Sequence, residues 1–226
     1  MARPSVIVFD VNETLSDMSP LSHRFAETGA PAELAKLWFA TLLRDGFALA
    51  AAGDARGFAD IGRNVLMDLL PEEGLTMGKE EAADHVLAGF QQLALQPDVA
   101  GGVSALQNAG YRLVTLSNGS AQVAEQLFSS GGIRDRFERL LSVEDAPAWK
   151  PAPSSYRYAA EACSTAPGQM LLVAVHPWDL HGAARAGLGT AWLNRTGAAY
   201  PGHFAASDIE ITALTELPAA LEGHTR

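Results

Sequence analysis

A single cysteine, Cys163, stands in 226 residues. With one thiol the chain can form no internal disulfide, and it suits a reducing compartment. Basic residues are scarce as well. Sixteen Lys and Arg against 26 Asp and Glu give a formal net charge of −10, with no basic cluster. That argues against nucleic acid or an anionic membrane surface as a partner, while leaving room for a local basic pocket. No apolar run reaches the ~20 residues needed to span a bilayer, and no charged and apolar leader is visible, so a cytoplasmic protein is expected. His23, His85, His181, His203 and His224 show no metal-ligand spacing. With 48% hydrophobic and 19% charged residues, the chain reads as folded and globular, long enough for one large domain or a core with an insertion.

The apolar run Val6-Ile7-Val8-Phe9 ends in Asp10 and opens Asp10-Val11-Asn12-Glu13-Thr14-Leu15. A β-branched and aromatic run closed by a carboxylate reads as a buried parallel strand that delivers an acid to a sheet edge. One more absence matters: position 12 is an amide, so Asp10 has no acid partner two residues on. From Leu15 to about residue 95 the rhythm is helical. Leu34, Leu37-Trp38 and Leu42 mark one apolar face, extended by Leu43, Phe47 and Leu49. Phe58, Ile61, Val65-Leu66 and Leu69-Leu70 mark a second, stopped by Pro71, and Val86-Leu87, Phe90 and Leu93 a further one after Glu80-Glu81. About four helices are expected.

From Pro97 strands and helices alternate. Strands are expected at 111–116, 140–142, 170–175, 190–193 and 209–211, and a helix at 154–163. Strands separated by helices of roughly 10–20 residues argue for an α/β, doubly wound parallel sheet. The first strand joins that sheet, so the core is discontinuous: residues 1–14 with 97–226, interrupted by a helical insert over 15–96.

Four segments carry polar residues at expected strand ends and loops: Asp10 with Thr14, Ser117 with Asn118, Lys150 in Trp149-Lys150-Pro151-Ala152-Pro153, and His176-Pro177-Trp178-Asp179. Taken singly, each reads as a helix cap, a turn or a surface loop. Taken together, their order and spacing resemble the haloacid dehalogenase superfamily, and within it the L-2-haloacid dehalogenases. Leu116-Ser117-Asn118-Gly119-Ser120, Lys150 to Tyr156, Trp178-Asp179 followed by Gly182-Ala183, and Gly187 to Arg195 carry the resemblance to that branch. The resemblance implies a Rossmann-like core with a helical cap inserted after the first strand. It also implies metal-independent hydrolysis of short 2-haloalkanoic acids to 2-hydroxy acids, with no cofactor, a small halocarboxylate as substrate, and a homodimer.

In that reading Asp10 attacks the halogen-bearing carbon with inversion, and water hydrolyses the resulting ester. Lys150 keeps Asp10 ionised, Thr14 orients it, and Asp179 positions Lys150 or the water, supported by Tyr156. The Ser117 hydroxyl and the amides after it take the substrate carboxylate. Asn118, Trp178 and a cap arginine cradle the halide. Arg44 is the candidate for the last; its alternative is a solvated arginine on an amphipathic helix. The family's arginine follows a tryptophan, where this chain has Phe39 after Trp38, and both aromatics read as core or pocket wall.

Other departures are Asn12 and Glu13 in place of tyrosine and glycine, and Ala174 and His176 in place of serine and asparagine. His176 either replaces the lost water-guiding network as a general base or caps the following helix. Two other readings stay open. One is a Mg²⁺-dependent phosphatase of a small phosphomonoester, for which Asn12 cannot serve as the general acid. The other is a non-catalytic protein that binds a small carboxylate or a partner. Cys163 reads as a buried small residue.

Overall fold

The computed structural model describes residues 3–223, which leaves His224 outside them. The first strand, β1 (Val6–Phe9), is buried along its whole length. Its side chains point alternately to two faces, so four consecutive apolar residues require cover on both sides. There follow β2 (Ser16–Asp17), α1 (Leu21–Glu27), α2 (Leu34–Ala51), α3 (Phe58–Leu69), α4 (Lys79–Gln91) and β3 (Ala94–Leu95). The remainder runs α5 (Val99–Asn108), β4 (Arg112–Ser117), α6 (Ala121–Ser130), β5 (Arg139–Ser142), α7 (Pro153–Ala162) and β6 (Met170–Ala174). It ends with α8 (Pro177–Arg185), β7 (Gly189–Leu193), β8 (Ile209–Ile211) and α9 (Leu217–Gly223).

Six strands form one sheet in the order β5-β4-β1-β6-β7-β8, and every pairing is parallel. The chain builds outward from β1 through β4 to β5, then returns to build β6, β7 and β8 on the other side. The order therefore reverses at β1, and open α/β sheets place their chemistry at the carboxyl ends beside such a reversal. Register makes this concrete: Phe9 lies level with Thr115 and with Val173. The residues that follow, Asp10, Leu116-Ser117 and Ala174-Val175, come together at the carboxyl end of the sheet.

One face of the sheet, with Ile7, Phe9, Leu113, Leu171 and Val173, packs with Val103 and Leu106 of α5, Phe128 of α6 and Leu217 of α9. Phe137 meets Phe9 edge-on at 5.8 Å and Phe128 at 4.5 Å. Helix α8 packs against β6 and β7, and α7 packs against α8.

The chain divides into two compact units, one built from residues up to Ser16 and from Leu95 onward, the other Asp17–Ala94. The sequence pattern puts these junctions two residues away, at 14/15 and 96/97. The shift coincides with β2 and β3, which pair as a two-stranded sheet and at two residues each are too short to show a pattern. The second unit holds the four expected helices around an aromatic cluster. Trp38 lies between Phe25 and Phe90, at 6.4 and 5.8 Å, Phe58 stacks on Phe90 at 5.1 Å, and the Trp38 indole donates to the Gly62 carbonyl at 2.9 Å. Trp38 and Phe39 are core residues. Leu37, read as part of that face, is instead 49% exposed. The inward stripe is Ala35, Trp38, Phe39 and Leu42, and Leu37 lies about 100° around the helix from Trp38.

Gly182 on α8 marks the tightest approach behind the site. A Cβ there would lie 2.6 Å from the Tyr156 hydroxyl, 2.7 Å from Pro151 Cβ and 2.8 Å from the Pro151 carbonyl. Alanine would favour the helix by about 1 kcal/mol, but overpacking costs about 1–3 kcal/mol. Gly182→Ala is therefore expected to lower the urea midpoint. A raised midpoint would show that this contact is loose.

Candidate active site

Asp10 is the first residue beyond β1, and its carboxylate is held from three sides. Thr14, one turn on in the loop, donates its hydroxyl to Oδ2 at 2.7 Å. His176 places Nδ1 on the same oxygen at 3.1 Å, and Lys150 donates from Nζ to Oδ1 at 2.9 Å. The Thr14 oxygen in turn accepts the Val175 amide at 3.1 Å, which ties the loop after β1 to the end of β6.

Lys150 is wholly buried and bridges two carboxylates, with Asp179 Oδ2 at 2.6 Å on its other side. The Tyr156 hydroxyl donates to Asp179 Oδ1 at 2.6 Å. Asn118 holds the Lys150 backbone in both directions. Its Nδ2 donates to the Lys150 carbonyl at 3.1 Å and its Oδ1 accepts the Lys150 amide at 2.9 Å. Such a pair of bonds places the lysine through its main chain, and only the second Nδ2 hydrogen remains for another acceptor. Trp178 stacks on His176 at 5.1 Å between centroids, with Lys150 Nζ 6.0 Å from its ring.

The Ser117-Asn118-Gly119 turn is tied down by its own side chain: the Gly119 amide donates to Ser117 Oγ at 2.9 Å. Of the amides after Ser117, that of Gly119 is therefore engaged within the turn. The Ser117 hydroxyl hydrogen remains a donor. Asn12 comes close to the same turn, with Nδ2 3.4 Å from where a Gly119 Cβ would stand.

Burial by itself would push the Asp10 carboxyl up. The Lys150 charge and the His176 hydrogen bond and charge outweigh it and hold the group well below the usual carboxylate range. Lys150 stays charged because Asp10 and Asp179 overcome its burial and raise it. The Asp179 carboxyl is raised, by burial first, against the pull of Lys150 and with Asp10 adding to the rise. Burial, with Asp179 adding, raises the Tyr156 hydroxyl well above its usual value, so it acts as a donor.

His176 occupies the N-cap position of α8, but its side chain makes no cap bond. Both ring nitrogens face carboxylates, Nδ1 on Asp10 and Nε2 on Glu13 Oε2 at 2.8 Å. Burial lowers its proton affinity, but the Asp10 and Glu13 hydrogen bonds overcome this and raise the ring from 6.5 to about 9. The direction of that shift favours the protonated ring at neutral pH. The cap reading is corrected, since the side chain makes no cap bond; as for a base, both ring nitrogens are engaged by carboxylates in the resting site.

Glu13 was missed among the site residues. Its one sequence signal is its place in the loop after Asp10, where this branch carries glycine. It adopts φ 61°, left-handed backbone that costs a non-glycine residue about 1–2 kcal/mol. Arg44 belongs to the helical unit, is 70% exposed and pairs with Asp45 at 2.8 Å. Cys163 is buried and its thiol is raised, by burial first. Among the described residues no group of three or more His, Cys, Asp or Glu is placed to hold a metal ion, and no helix is long and apolar enough to cross a membrane.

The haloacid dehalogenase-like hydrolase family matches residues 4–187. (S)-2-haloacid dehalogenase 1 of Pseudomonas sp. (strain CBS-3) is 26% identical, over 95% of both chains. Haloacetate dehalogenase H-2 of Moraxella sp. (strain B) is 30% identical, over 88% of this chain and 90% of its own. The fold is similar to a crystal structure of a dehalogenase with an intermediate complex, with a TM-score of 0.87, 25% identity, and coverage of 98% of this chain and 99% of that one.

Because His176 is raised from 6.5 to about 9, its contribution to stability is full below pH 6.5 and is lost as pH rises through about 9. On the order of 2 kcal/mol is expected, allowing for the partial exposure of Glu13. The melting temperature of the wild type minus that of His176→Asn should fall across this window. A difference independent of pH would contradict the cationic assignment.

Proposed function

We propose that this chain, which belongs to the haloacid dehalogenase-like hydrolases, hydrolyses short 2-haloalkanoic acids to 2-hydroxy acids through an ester on Asp10. One observation carries the reading: Asp10 is held ionised by Lys150, while position 12 offers an amide and no acid. A phosphomonoester releases an alkoxide that needs a proton, whereas a halide departs as a stable anion without one. A nucleophilic carboxylate with no acid partner matches the second leaving group.

Asp10 attacks the halogen-bearing carbon; the carbon–halogen bond breaks and its electron pair leaves with the halide. Lys150 keeps the nucleophile charged, Thr14 fixes its orientation, and Asp179 with Tyr156 fixes Lys150. The Ser117 hydroxyl takes the substrate carboxylate. Asn118, through its remaining hydrogen, and Trp178 line the halide's side. Arg44 is the candidate for a third halide contact, on the resemblance alone, since in its own unit it is exposed and paired with Asp45. The buried free thiol of Cys163 favours a reducing, cytoplasmic setting.

The donor set does not fit a Mg²⁺-dependent phosphatase. Mg²⁺ takes carboxylate oxygens. Lys150 and Tyr156 each engage one oxygen of Asp179, and Lys150 and His176 stand on the oxygens of Asp10, so a metal cation there would face positive charge already in place. No step is routed through a metal.

The test is free halide released from chloroacetate and L-2-chloropropionate, with and without EDTA. Release is expected and should be indifferent to the chelator; turnover of p-nitrophenyl phosphate alone, dependent on Mg²⁺, would refute the proposal. Asp10→Asn should abolish release, and retained turnover would mean another nucleophile. Lys150→Ala leaves two carboxylates facing each other in a buried site, so it should lose most activity and about 3–5 kcal/mol of stability by urea denaturation. A near-normal rate would refute its role.

A further inference from the structure

The two oxygens of Asp10 are not equivalent. Oδ2 accepts from Thr14 at 2.7 Å and from His176 at 3.1 Å, which engages both of its in-plane lone pairs. Oδ1 accepts from Lys150 at 2.9 Å and keeps one free. Resting on the proposed dehalogenation, Oδ1 is then the attacking oxygen and Oδ2 becomes the carbonyl oxygen of the ester. When water attacks Asp10 Cγ, negative charge gathers on Oδ2, where a hydroxyl and an imidazolium already stand at oxyanion-hole distances.

Two carboxylates favour the imidazolium, Asp10 first and then Glu13. The Glu13 carboxylate meets His176 Nε2 at 2.8 Å, from left-handed backbone where glycine would be unstrained. A strained residue whose side chain makes a specific contact in a site points to a function for that contact. We propose that Glu13 is a positioning residue for ester hydrolysis: it holds His176 as a cation with Nδ1–H on the oxygen that becomes the oxyanion.

The step balances. Water's oxygen bonds to Cγ, and the carbonyl electron pair moves to Oδ2 and returns as the Cγ–Oδ1 bond breaks. Oδ1 leaves as the product's 2-oxygen, which takes one water hydrogen. The other departs to solvent as Asp10 returns to a carboxylate. His176 keeps its protons throughout. The charged groups around the ring are Asp10 at the end of β1 and Glu13 in the loop after it. Lys150 stands across Asp10 on its other oxygen, and Arg195 reaches the Glu13 carbonyl at 3.4 Å while paired with Asp98 at 2.8 Å. Esterification removes the Asp10 charge and leaves Glu13 as the anion on the ring, so its influence is greatest when hydrolysis takes place.

Single-turnover reactions of the full chain with L-2-chloropropionate separate the two halves, with halide release reporting ester formation and intact-protein mass reporting the ester. Glu13→Gln should release halide within about twofold of the wild-type rate and hydrolyse the ester about 10- to 100-fold more slowly, so that the ester accumulates. Glu13→Asp should restore part of the rate. Glu13→Gly, which relieves the backbone, should show the same defect with an undiminished melting temperature. Wild-type hydrolysis should fall as pH rises through the titration of His176, and in Glu13→Gln that fall should move to lower pH. Unchanged hydrolysis and pH profile in Glu13→Gln would overturn the assignment. So would wild-type hydrolysis that rises with pH, the mark of a neutral histidine acting as base. A wild-type protein that releases no halide from either haloacid would sink the dehalogenase reading itself, a distinguishable result.

Discussion

A lysine ammonium without solvent exposure, set between two buried carboxylates, is the constraint around which this site is built. Taking an ammonium out of water costs several kcal/mol, and the cost is recovered only with close partners of opposite charge. Lys150 has two, at 2.9 and 2.6 Å. Its supports follow from that need. Asn118 fixes its backbone, Tyr156 takes the Asp179 oxygen that Lys150 leaves, and Gly182 makes room for the Tyr156 hydroxyl against Pro151. Folding and chemistry rest on the same charges, because the ammonium that repays its burial also keeps Asp10 ionised.

A second cation sits on the other side of Asp10. His176 is held by carboxylates at both nitrogens, so Asp10 lies between two positive groups, one on each oxygen. A carboxylate so placed is stable as an anion, and its oxygens are inequivalent before any substrate arrives. Glu13 and His176, where the resemblance leads to glycine and asparagine, act as a pair: the strained acid makes sense only beside the imidazole it meets. Two departures from the branch pattern thus join into one hydrogen-bonded chain, Glu13–His176–Asp10.

Much of this was legible in the chain. The run Val6–Phe9 announced a strand covered on both faces, and Asp10 after it an acid at a sheet edge. The alternation from Pro97 onward foretold the parallel sheet, and helical periodicity foretold α2, α3 and α4, because period is a direct record of which side chains must be buried. Asn12 read as the lack of a general acid without any geometry. The misses have a common character. Strands β2 and β3 are too short for a period, and Leu37 lies on the wrong side of a stripe that three-residue spacing blurs. Nor can composition reveal that the Gly119 amide is engaged by a side chain two residues back.

What the sequence by itself determined was the inventory: a carboxylate at a strand end with no acid two residues on, a lysine, a second carboxylate for it, and the order of elements that brings them to one edge. Tertiary structure decided the charge states and the pairing. Whether His176 is base, cap or cation depends on what faces each ring nitrogen, and the partners lie 166 and 163 residues away. Electrostatic interactions act over a few ångströms of space and are indifferent to separation along the chain. Residue types can therefore be read in order, but their protonation is settled only by the fold that brings them together.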